Sequence, residues 1–443
     1  MIVIGGGAAG LTAAGMSSLL GAKTALIERH RLGGDCTWTG CIPSKSLIHA
    51  SKIPTPDFVS VMERVRTIRR RVYEEADSPP NMERLGVEVI PDEARFTDSH
   101  TVELASGRRL TSRYFVIATG SRPRTLAAPV PVYTNETIFE INALPARLAV
   151  IGAGPVGIEL AQAFRRLGSE VTVIGSSTSI LPRDDAELTA ILRSTLESEG
   201  IRFQLGQTLD DDLSATEADA VLAAIGREPV TDGLQLEKAA IAFDPDGIRI
   251  DRHCRTSRRH IYAVGDVTGR FLFTHMAEHM AKVAVTNAIL HWPRKLDSAH
   301  VAWCTFTDPE LAHVGASEDD LKKDRTRFDV YRFPFSRLDR ALTDDATTGM
   351  VKIMAAPTGR ILGASILGAR AGELISEVAL AMKHEVGLGQ FADTIHPYPT
   401  YSLAVRRAAE EWQLRRLTRR SVGLLQTVFR YRGRNGHPRY DNV

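Results

Sequence analysis

Cysteine is scarce in this chain: four in 443 residues, too few for the disulfide framework that holds small secreted domains together. No apolar run approaches the roughly 18 residues of a membrane span. Neither sign of charge dominates, because 55 Lys and Arg stand against 53 Asp and Glu, a net charge of +2. That balance argues against nucleic acid as the main partner. The N-terminus, Met1-Ile2-Val3-Ile4 running straight into glycines, lacks the basic segment and long apolar core of a signal peptide. A reducing cytoplasm is the expected setting, where a cysteine pair is more often catalytic than structural. With 43% hydrophobic residues, a chain of this length can bury several cores, and two or three globular domains are expected.

What is there centres on Gly33-Gly34-Asp35-Cys36-Thr37-Trp38-Thr39-Gly40-Cys41-Ile42-Pro43-Ser44-Lys45, which holds two of the four cysteines. On an ideal helix five residues rise about 7.5 Å, more than the roughly 7 Å Cα limit for a disulfide, so a bridge here needs a distorted helix start. Gly40 supplies that latitude. Pro43 suits a first helical turn, which puts Cys41 where unpaired backbone N–H groups lower a thiol pKa. The expected feature is a redox-active disulfide. The alternatives are a permanent staple and two free buried thiols; a staple closing so small a loop removes little chain entropy, which favours the redox reading.

The chain opens with a short β-run, Met1 to Ile4, then Gly5-Gly6-Gly7-Ala8-Ala9-Gly10, a small-residue helix to Leu20 and an apolar strand ending at Glu28. This is the strand, glycine turn, helix, strand, acid order of a dinucleotide site: Gly5, Gly7 and Gly10 admit the pyrophosphate and Glu28 binds a ribose hydroxyl. The pattern repeats at Leu148 to Ile151 and Gly152-Ala153-Gly154-Pro155-Val156-Gly157. Two fingerprints, each in a βαβ context, imply two dinucleotides in one chain. The second unit closes near Ala223 to Arg227, and Ile261 to Asp266 returns as a buried strand ending in an acid placed to touch a cofactor.

Between these landmarks, Asp57 to Asp77 has apolar positions at helical spacing and reads as one long surface helix, its arginines 64, 66, 69, 70 and 71 forming a solvated face. Strands are expected at Val87 to Ile90, Thr101 to Leu104 and Tyr114 to Ile117. From Ala299 the composition changes. Strands at Arg327 to Phe333, Met350 to Met354 and Ile361 to Leu367, with helices at Gly372 to His384 and Thr400 to Arg416, suggest an antiparallel sheet flanked by helices. The tail is basic (Arg415, Arg416, Arg419, Arg420, Arg430, Arg432, Arg434, Arg439). Its expected state is a solvated or partly disordered extension, with weak membrane-surface contact as the lesser alternative.

The cysteine stretch, the two fingerprints, Ala118-Thr119-Gly120, Val264-Gly265-Asp266 and Phe306-Thr307-Asp308-Pro309-Glu310 together resemble the flavin disulfide reductases, the family of dihydrolipoamide dehydrogenase, glutathione reductase and mercuric reductase, over roughly residues 1 to 412. The resemblance implies an α/β fold with two Rossmann-like dinucleotide-binding domains plus a C-terminal α+β dimerisation domain. The expected division is an FAD-binding domain at 1–145, an NAD(P)H-binding domain at 146–253, a return of the FAD domain at 254–295, a dimerisation domain at 296–412 and the tail at 413–443. FAD is expected on Gly5, Gly7, Gly10, Glu28, Lys45, Thr119, Gly120 and Asp266, and NAD(P)H on Gly152, Gly154, Gly157 and Gly226, in a homodimer with no resident metal. By resemblance Cys41 sits against the flavin as a thiolate, Cys36 attacks substrate, and Lys45 pairs with Glu159 beside the flavin.

Family members acting on dithiols carry His-Pro-x-x-x-Glu near the C-terminus. Here His396-Pro397-Tyr398-Pro399-Thr400-Tyr401-Ser402-Leu403 puts Tyr398 at the histidine position and Leu403 at the glutamate position. The shifted register keeps His396 but offers Tyr401 in place of the acid, so neither register retains the dyad. Tyrosine at this position resembles mercuric reductase, although the C-terminal cysteine pair and the N-terminal Cys-x-x-Cys domain of that enzyme are missing from this sequence. The favoured expectation is electron transfer from NAD(P)H to a metal ion or small electrophilic oxidant. A small-disulfide reductase and a flavin-binding redox sensor are the alternatives. After the second strand of the second unit, Ile174-Gly175-Ser176-Ser177-Thr178-Ser179 carries neither the acid that favours NAD nor an arginine for a 2′-phosphate, and leans weakly to NADPH.

Overall fold

The computed structural model describes residues 1–53, 57–207, 217–416 and 419–430. The chain forms two compact units, one made of Met1–Pro182 with Arg193–Ser298, the other of Arg183–Leu192 with Ala299–Val443.

The first unit is built on two five-stranded parallel sheets. In one the strand order is Ile261–Ala263, Phe115–Ile117, Ile2–Ile4, Thr24–Ile27, Val87–Ile90. Parallel strands buried on both faces read as continuous apolar runs, and Val3, Leu26, Phe115, Val116 and Ile117 are indeed fully buried. The alanines of helix Ala8–Leu19 pack on those of helix Thr274–Ile289, Ala13 and Ala14 meeting a face that includes Ala281 and Ala284. Small side chains let the two helices approach closely, which holds the first fingerprint on its strand. The second sheet runs Arg202–Leu205, Glu170–Gly175, Arg147–Ile151, Ala220–Ala223, Val132–Tyr133. Its edge strand, Val132–Tyr133, comes from upstream of the second fingerprint. The strand Ala94–Asp98, which joins Thr101–Leu104 and Arg109–Thr111 in a small antiparallel sheet, was likewise not anticipated.

The expected long helix is α-helical over Phe58–Val72, with Asp57 capping it by accepting from the Ser60 amide at 2.9 Å, and widens to a π-turn over Tyr73–Asp77. Its arginines correct the solvated-face expectation. Arg64, Arg70 and Arg71 are exposed, but Arg69 is buried, pairs with Glu140 at 2.7 Å and donates to the Trp38 carbonyl at 3.0 Å. Arg66 also turns inward, donating to the Ile141 carbonyl at 3.1 Å. A stripe chosen by helical spacing assigned both residues to solvent because their acceptors lie far away in sequence.

The second unit carries an antiparallel sheet in the order Ala302–Thr305, Glu310–Gly315, Ile361–Gly368, Met350–Ala355, Asp329–Pro334. Helices Ala371–Lys383 and Leu403–Arg416 flank it. Three of the five strands were expected; the two that precede Arg327 were not. Within this unit Lys352, 3% exposed, gathers three carboxylates: Asp185 at 2.8 Å, Glu187 at 2.9 Å and Glu318 at 2.7 Å. A buried ammonium needs such company to offset its desolvation. The tail contains a helix at Arg419–Phe429 with exposed Leu424, Leu425, Val428 and Phe429; Arg432, Arg434 and Arg439 lie outside the described residues.

Candidate active site

The two cysteines sit on separate helices. Gly33, with φ +100°, opens the short helix Gly34–Trp38 that carries Cys36, and Gly40 breaks the chain before helix Cys41–Ser51 begins. A Cβ on Gly40 would stand 2.8 Å from the Asp35 carbonyl oxygen, so the break admits only glycine. This is the distorted helix start that the spacing demanded, and it leaves the two thiols in hydrogen-bonding contact, unbridged.

Several anchors fix the Cys36 helix. Trp38 Nε1 donates to the Leu32 carbonyl at 2.7 Å, its ring lies between the Arg31 guanidinium at 3.5 Å and Tyr73 at 5.0 Å, and Thr37 donates to Asp77. Such packing determines the rotamers around a reactive thiol and so fixes its direction.

The electrostatics separate the two sulfurs. The hydrogen bond from the Cys36 thiol, first among the causes, brings Cys41 down to about 6 against the opposing effect of burial; Thr274 and Lys45 assist. Cys36 moves the other way, since it is the donor in that bond and is itself partly buried. One proton thus resides on Cys36 while Cys41 is a thiolate. Thr274 Oγ1 stands 3.4 Å from the Cys41 sulfur. Cys41 is also the first residue of its helix, where free backbone N–H groups favour an anion. Lys45, one turn along, pairs with the buried Glu159 at 2.8 Å, as expected from the resemblance.

Around this centre stand the nucleotide loops. Gly5 has φ +103°, and a Cβ on Gly10 would run into the Gly5 carbonyl. The Glu28 carboxylate accepts from the Gly6 amide at 2.7 Å and the His30 amide at 2.8 Å, which fixes it at the end of its strand. In the second fingerprint Gly152 has φ +113°, a Cβ on Gly157 would meet the Gly152 carbonyl, and Gly154 opens on free space at the start of helix Pro155–Leu167. Gly120 and Gly226, with φ +72° and +107°, are likewise open. Glycines that abut backbone on one side and leave an open helix N-terminus on the other are a cradle for a pyrophosphate, so both loops fit the dinucleotides that the motifs imply. Thr119 donates to the Val230 carbonyl at 2.7 Å. Asp266 lies in a single 3₁₀ turn at its strand end and accepts from Ser121 Oγ at 2.7 Å; burial pushes its carboxyl up.

Two residues here escaped the sequence reading. Thr274 lies outside every motif of the sequence. Arg227, next to the foreseen Gly226, donates to Ser121 Oγ and to the Ser121 carbonyl, both at 2.7 Å, reaches Asn135 at 3.1 Å and pairs with Asp35 beside Cys36. A charged residue directly after the glycine that follows an apolar strand was the available signal.

In the second unit Tyr398 is 71% exposed and donates to Asp339 at 2.9 Å, which pushes its phenol further up. Leu403 is buried. His396 finds a carboxylate after all, Glu377 at 2.8 Å, supplied by helix Ala371–Lys383 rather than by either register of the His-Pro motif. Its other ring nitrogen meets the Thr394 carbonyl at 2.9 Å, and the imidazole is buried. Among the described residues no helix is long and apolar enough to cross a membrane, and no group of three or more His, Cys, Asp or Glu is gathered to hold a metal ion.

Comparison with known proteins agrees with this arrangement. The chain is 34% identical to dihydrolipoyl dehydrogenase 2 of Haloarcula marismortui over 92% of this chain and 95% of the relative. It is 30% identical to the mercuric reductase of Staphylococcus aureus over 92% of this chain and 81% of that one. Among solved structures, the HOCl-induced flavoprotein disulfide reductase RclA from Escherichia coli superposes with a TM-score of 0.85 at 27% identity, covering 93% of this chain and 99% of the other. The same enzyme is also known as a Cu(II) complex. Residues 1–281 match the family model for pyridine nucleotide-disulphide oxidoreductases and residues 301–409 the model for that family's dimerisation domain. The chain belongs to the pyridine nucleotide-disulphide oxidoreductases, flavin- and NAD(P)H-dependent enzymes with disulfide-related chemistry.

Proposed function

We propose that this enzyme takes electrons from NAD(P)H and delivers them through Cys36 and Cys41 to a metal ion or small electrophilic oxidant. The observation that carries the reading is the state of the would-be acid/base position. Cleaving a dithiol's disulfide requires a group that exchanges protons near neutrality. Tyr398 is held protonated by Asp339, Leu403 has no carboxylate, and both nitrogens of His396 are engaged internally. A thiophilic ion bound by two sulfurs needs no such proton donor. The mercuric reductases among the relatives and the copper complex of RclA support the same acceptor class.

Bound FAD, held by the first glycine loop with Glu28, Lys45, Thr119, Gly120 and Asp266, would supply the two-electron link between nicotinamide and sulfur. The second loop, with Gly226, would hold NAD(P)H. The chain's own residues do the rest. Two electrons open the Cys36–Cys41 bond to a thiol and a thiolate, Cys36 keeping the one proton required. Thr274 and the Lys45 charge stabilise the thiolate on Cys41, while Cys36 is the nucleophile. Closing the bond again returns two electrons to the acceptor and releases the proton. Residues 301–409 form the homodimer contact. Nucleotide choice leans weakly to NADPH: a Cβ on Gly175 would stand 3.1 Å from Ala153 Cβ, so packing disfavours an acid there.

The dihydrolipoyl dehydrogenases among the relatives favour a second reading, a small-disulfide reductase. Parallel assays of NAD(P)H oxidation with Hg(II), Cu(II), a quinone, lipoamide and glutathione disulfide separate the two. Turnover of a metal ion that disappears in Cys36→Ser and Cys41→Ser is the expected result. Robust lipoamide turnover with idle metal ions would overturn the proposal and promote the disulfide reductase.

A further inference from the structure

Charge is unevenly divided along this chain. Eight of its 55 Lys and Arg, but one of its 53 Asp and Glu, fall in residues 413–443, so the tail carries +7 and the preceding 412 residues −5. The match to the dimerisation domain ends at residue 409, before this segment begins. Its described residues include the helix Arg419–Phe429. On it Leu424, Leu425 and Val428 are 64%, 42% and 61% exposed, and Phe429 is exposed at the same end. At about 3.6 residues per turn these four positions share an arc of roughly 140°, and Gly423, Gln426, Thr427 and Arg430 fall outside it.

An apolar ridge of this kind, flanked by arginines, selects its occupant by charge. Nucleic acid offers anionic groups but nothing to cover three exposed aliphatic side chains. A second copy of the tail offers an apolar face but brings +7 against +7. The acidic body of another subunit spreads its −5 over 412 residues. An anionic bilayer surface presents phosphates and acyl chains side by side in one plane, which matches an exposed apolar ridge carried in a basic stretch of sequence. We propose that Arg419–Phe429 is an interfacial helix that docks the enzyme reversibly on anionic membrane surfaces, with Leu424, Leu425 and Val428 at the acyl boundary and the arginines on the headgroup phosphates. The net negative remainder of the chain is repelled by the same surface, so the contact is confined to the tail.

The test uses the full-length, FAD-loaded enzyme sedimented with vesicles of phosphatidylcholine alone or of phosphatidylcholine mixed with phosphatidylglycerol. Binding to the anionic vesicles is expected to exceed binding to the neutral ones by about tenfold or more, and to fall steeply with added salt. The double variants Leu424→Ser/Val428→Ser and Arg430→Gln/Arg432→Gln should each lose about tenfold, with NAD(P)H oxidation in solution and the melting temperature unchanged. A chain ending at Arg416 should keep its turnover and lose vesicle binding altogether. Equal binding to neutral vesicles overturns the proposal, as does undiminished anionic binding by Leu424→Ser/Val428→Ser. Tighter retention by duplex DNA than by anionic vesicles overturns it in favour of a nucleic-acid surface. A drop in solution mass of Leu424→Ser/Val428→Ser by light scattering overturns it in favour of contact with a second copy.

Discussion

Replacing Cys36 by alanine should raise the pH at which Cys41 ionises, and by more than removing the Thr274 hydroxyl does. The Cys36 thiol is the largest influence holding Cys41 at about 6, from an ordinary value of 9.0. A hydrogen bond to a charged group contributes about 1.5–3 kcal/mol, and one pH unit corresponds to about 1.4 kcal/mol. The midpoint in Cys36→Ala should therefore move to about 7–8, and the thiolate fraction near pH 7 fall from about nine-tenths to half or less. Thr274→Val removes a longer contact, 3.4 Å, and should raise the midpoint by less than about one pH unit. Serine at position 36 retains a donor, so Cys36→Ser should stay nearer the parent value. The assay is the rate of iodoacetamide alkylation of the anaerobically reduced enzyme across pH, read by mass spectrometry on the peptide carrying Cys41. Cys254 does not interfere, because burial pushes its thiol up to about 12. An unchanged midpoint in Cys36→Ala, or a larger displacement in Thr274→Val, would refute the hydrogen-bond account and leave the helix terminus as the cause.

Cys36→Ser should also show, without any reductant, the long-wavelength absorption of a thiolate against oxidised flavin; absence of that band from both the variant and the reduced parent would remove Cys41 from the flavin's neighbourhood. Tyr398→Phe should slow metal-ion reduction if the hydroxyl contacts the acceptor, and identical steady-state rates would reduce Tyr398 to a surface aromatic tied to Asp339. A preference for NADH over NADPH above about 100-fold, near 2.7 kcal/mol, measured as a ratio of kcat/KM, would contradict the reading of Gly175. Lys352→Met should destabilise the second unit by about 3–5 kcal/mol in denaturant unfolding, because it strands the buried carboxylate of Asp185, and a loss under about 1 kcal/mol would show that carboxylate to be solvated. Glu318 is held down to about 2 by Lys322 and Lys352; its contribution is present above its unfolded value near 4.5 and lost as pH falls through about 2. Glu318→Gln should accordingly flatten the melting temperature across that acid window.

The parts of this enzyme that could be read in advance are those whose chemistry is local. Gly33 to Lys45 and the two glycine fingerprints declare themselves because a turn, a helix start and a reactive thiol are all specified within a dozen residues. Pairings over long sequence distances left no such trace. Thr274 reaches Cys41 across more than half the chain, Arg227 on the strand Arg227–Pro229 meets the helical Asp35, and Glu377 on helix Ala371–Lys383 joins His396 in a loop. Arg69 looked like a surface residue because helical spacing says which face a side chain occupies but not what covers that face. Val132–Tyr133 is too short for any periodicity to register, and only its place beside Ala220–Ala223 makes it a strand.

The three carboxylates around Lys352 tie the second unit to the order in which the chain is made. Asp185 and Glu187 emerge roughly ten to thirty seconds before their lysine, at a synthesis rate of ~5–20 residues per second. During that interval Asp185 has no cation to accompany it into the interior, so the unit can be completed only after the strand Met350–Ala355 has arrived. A fragment beginning at Ala299 would carry the lysine with one of its three acids, and a fragment ending before Ala299 would carry two acids without the lysine. The covalent boundary that sequence continuity suggests is thus a poor place to cut this protein, because the second unit depends on a segment that was translated as part of the first.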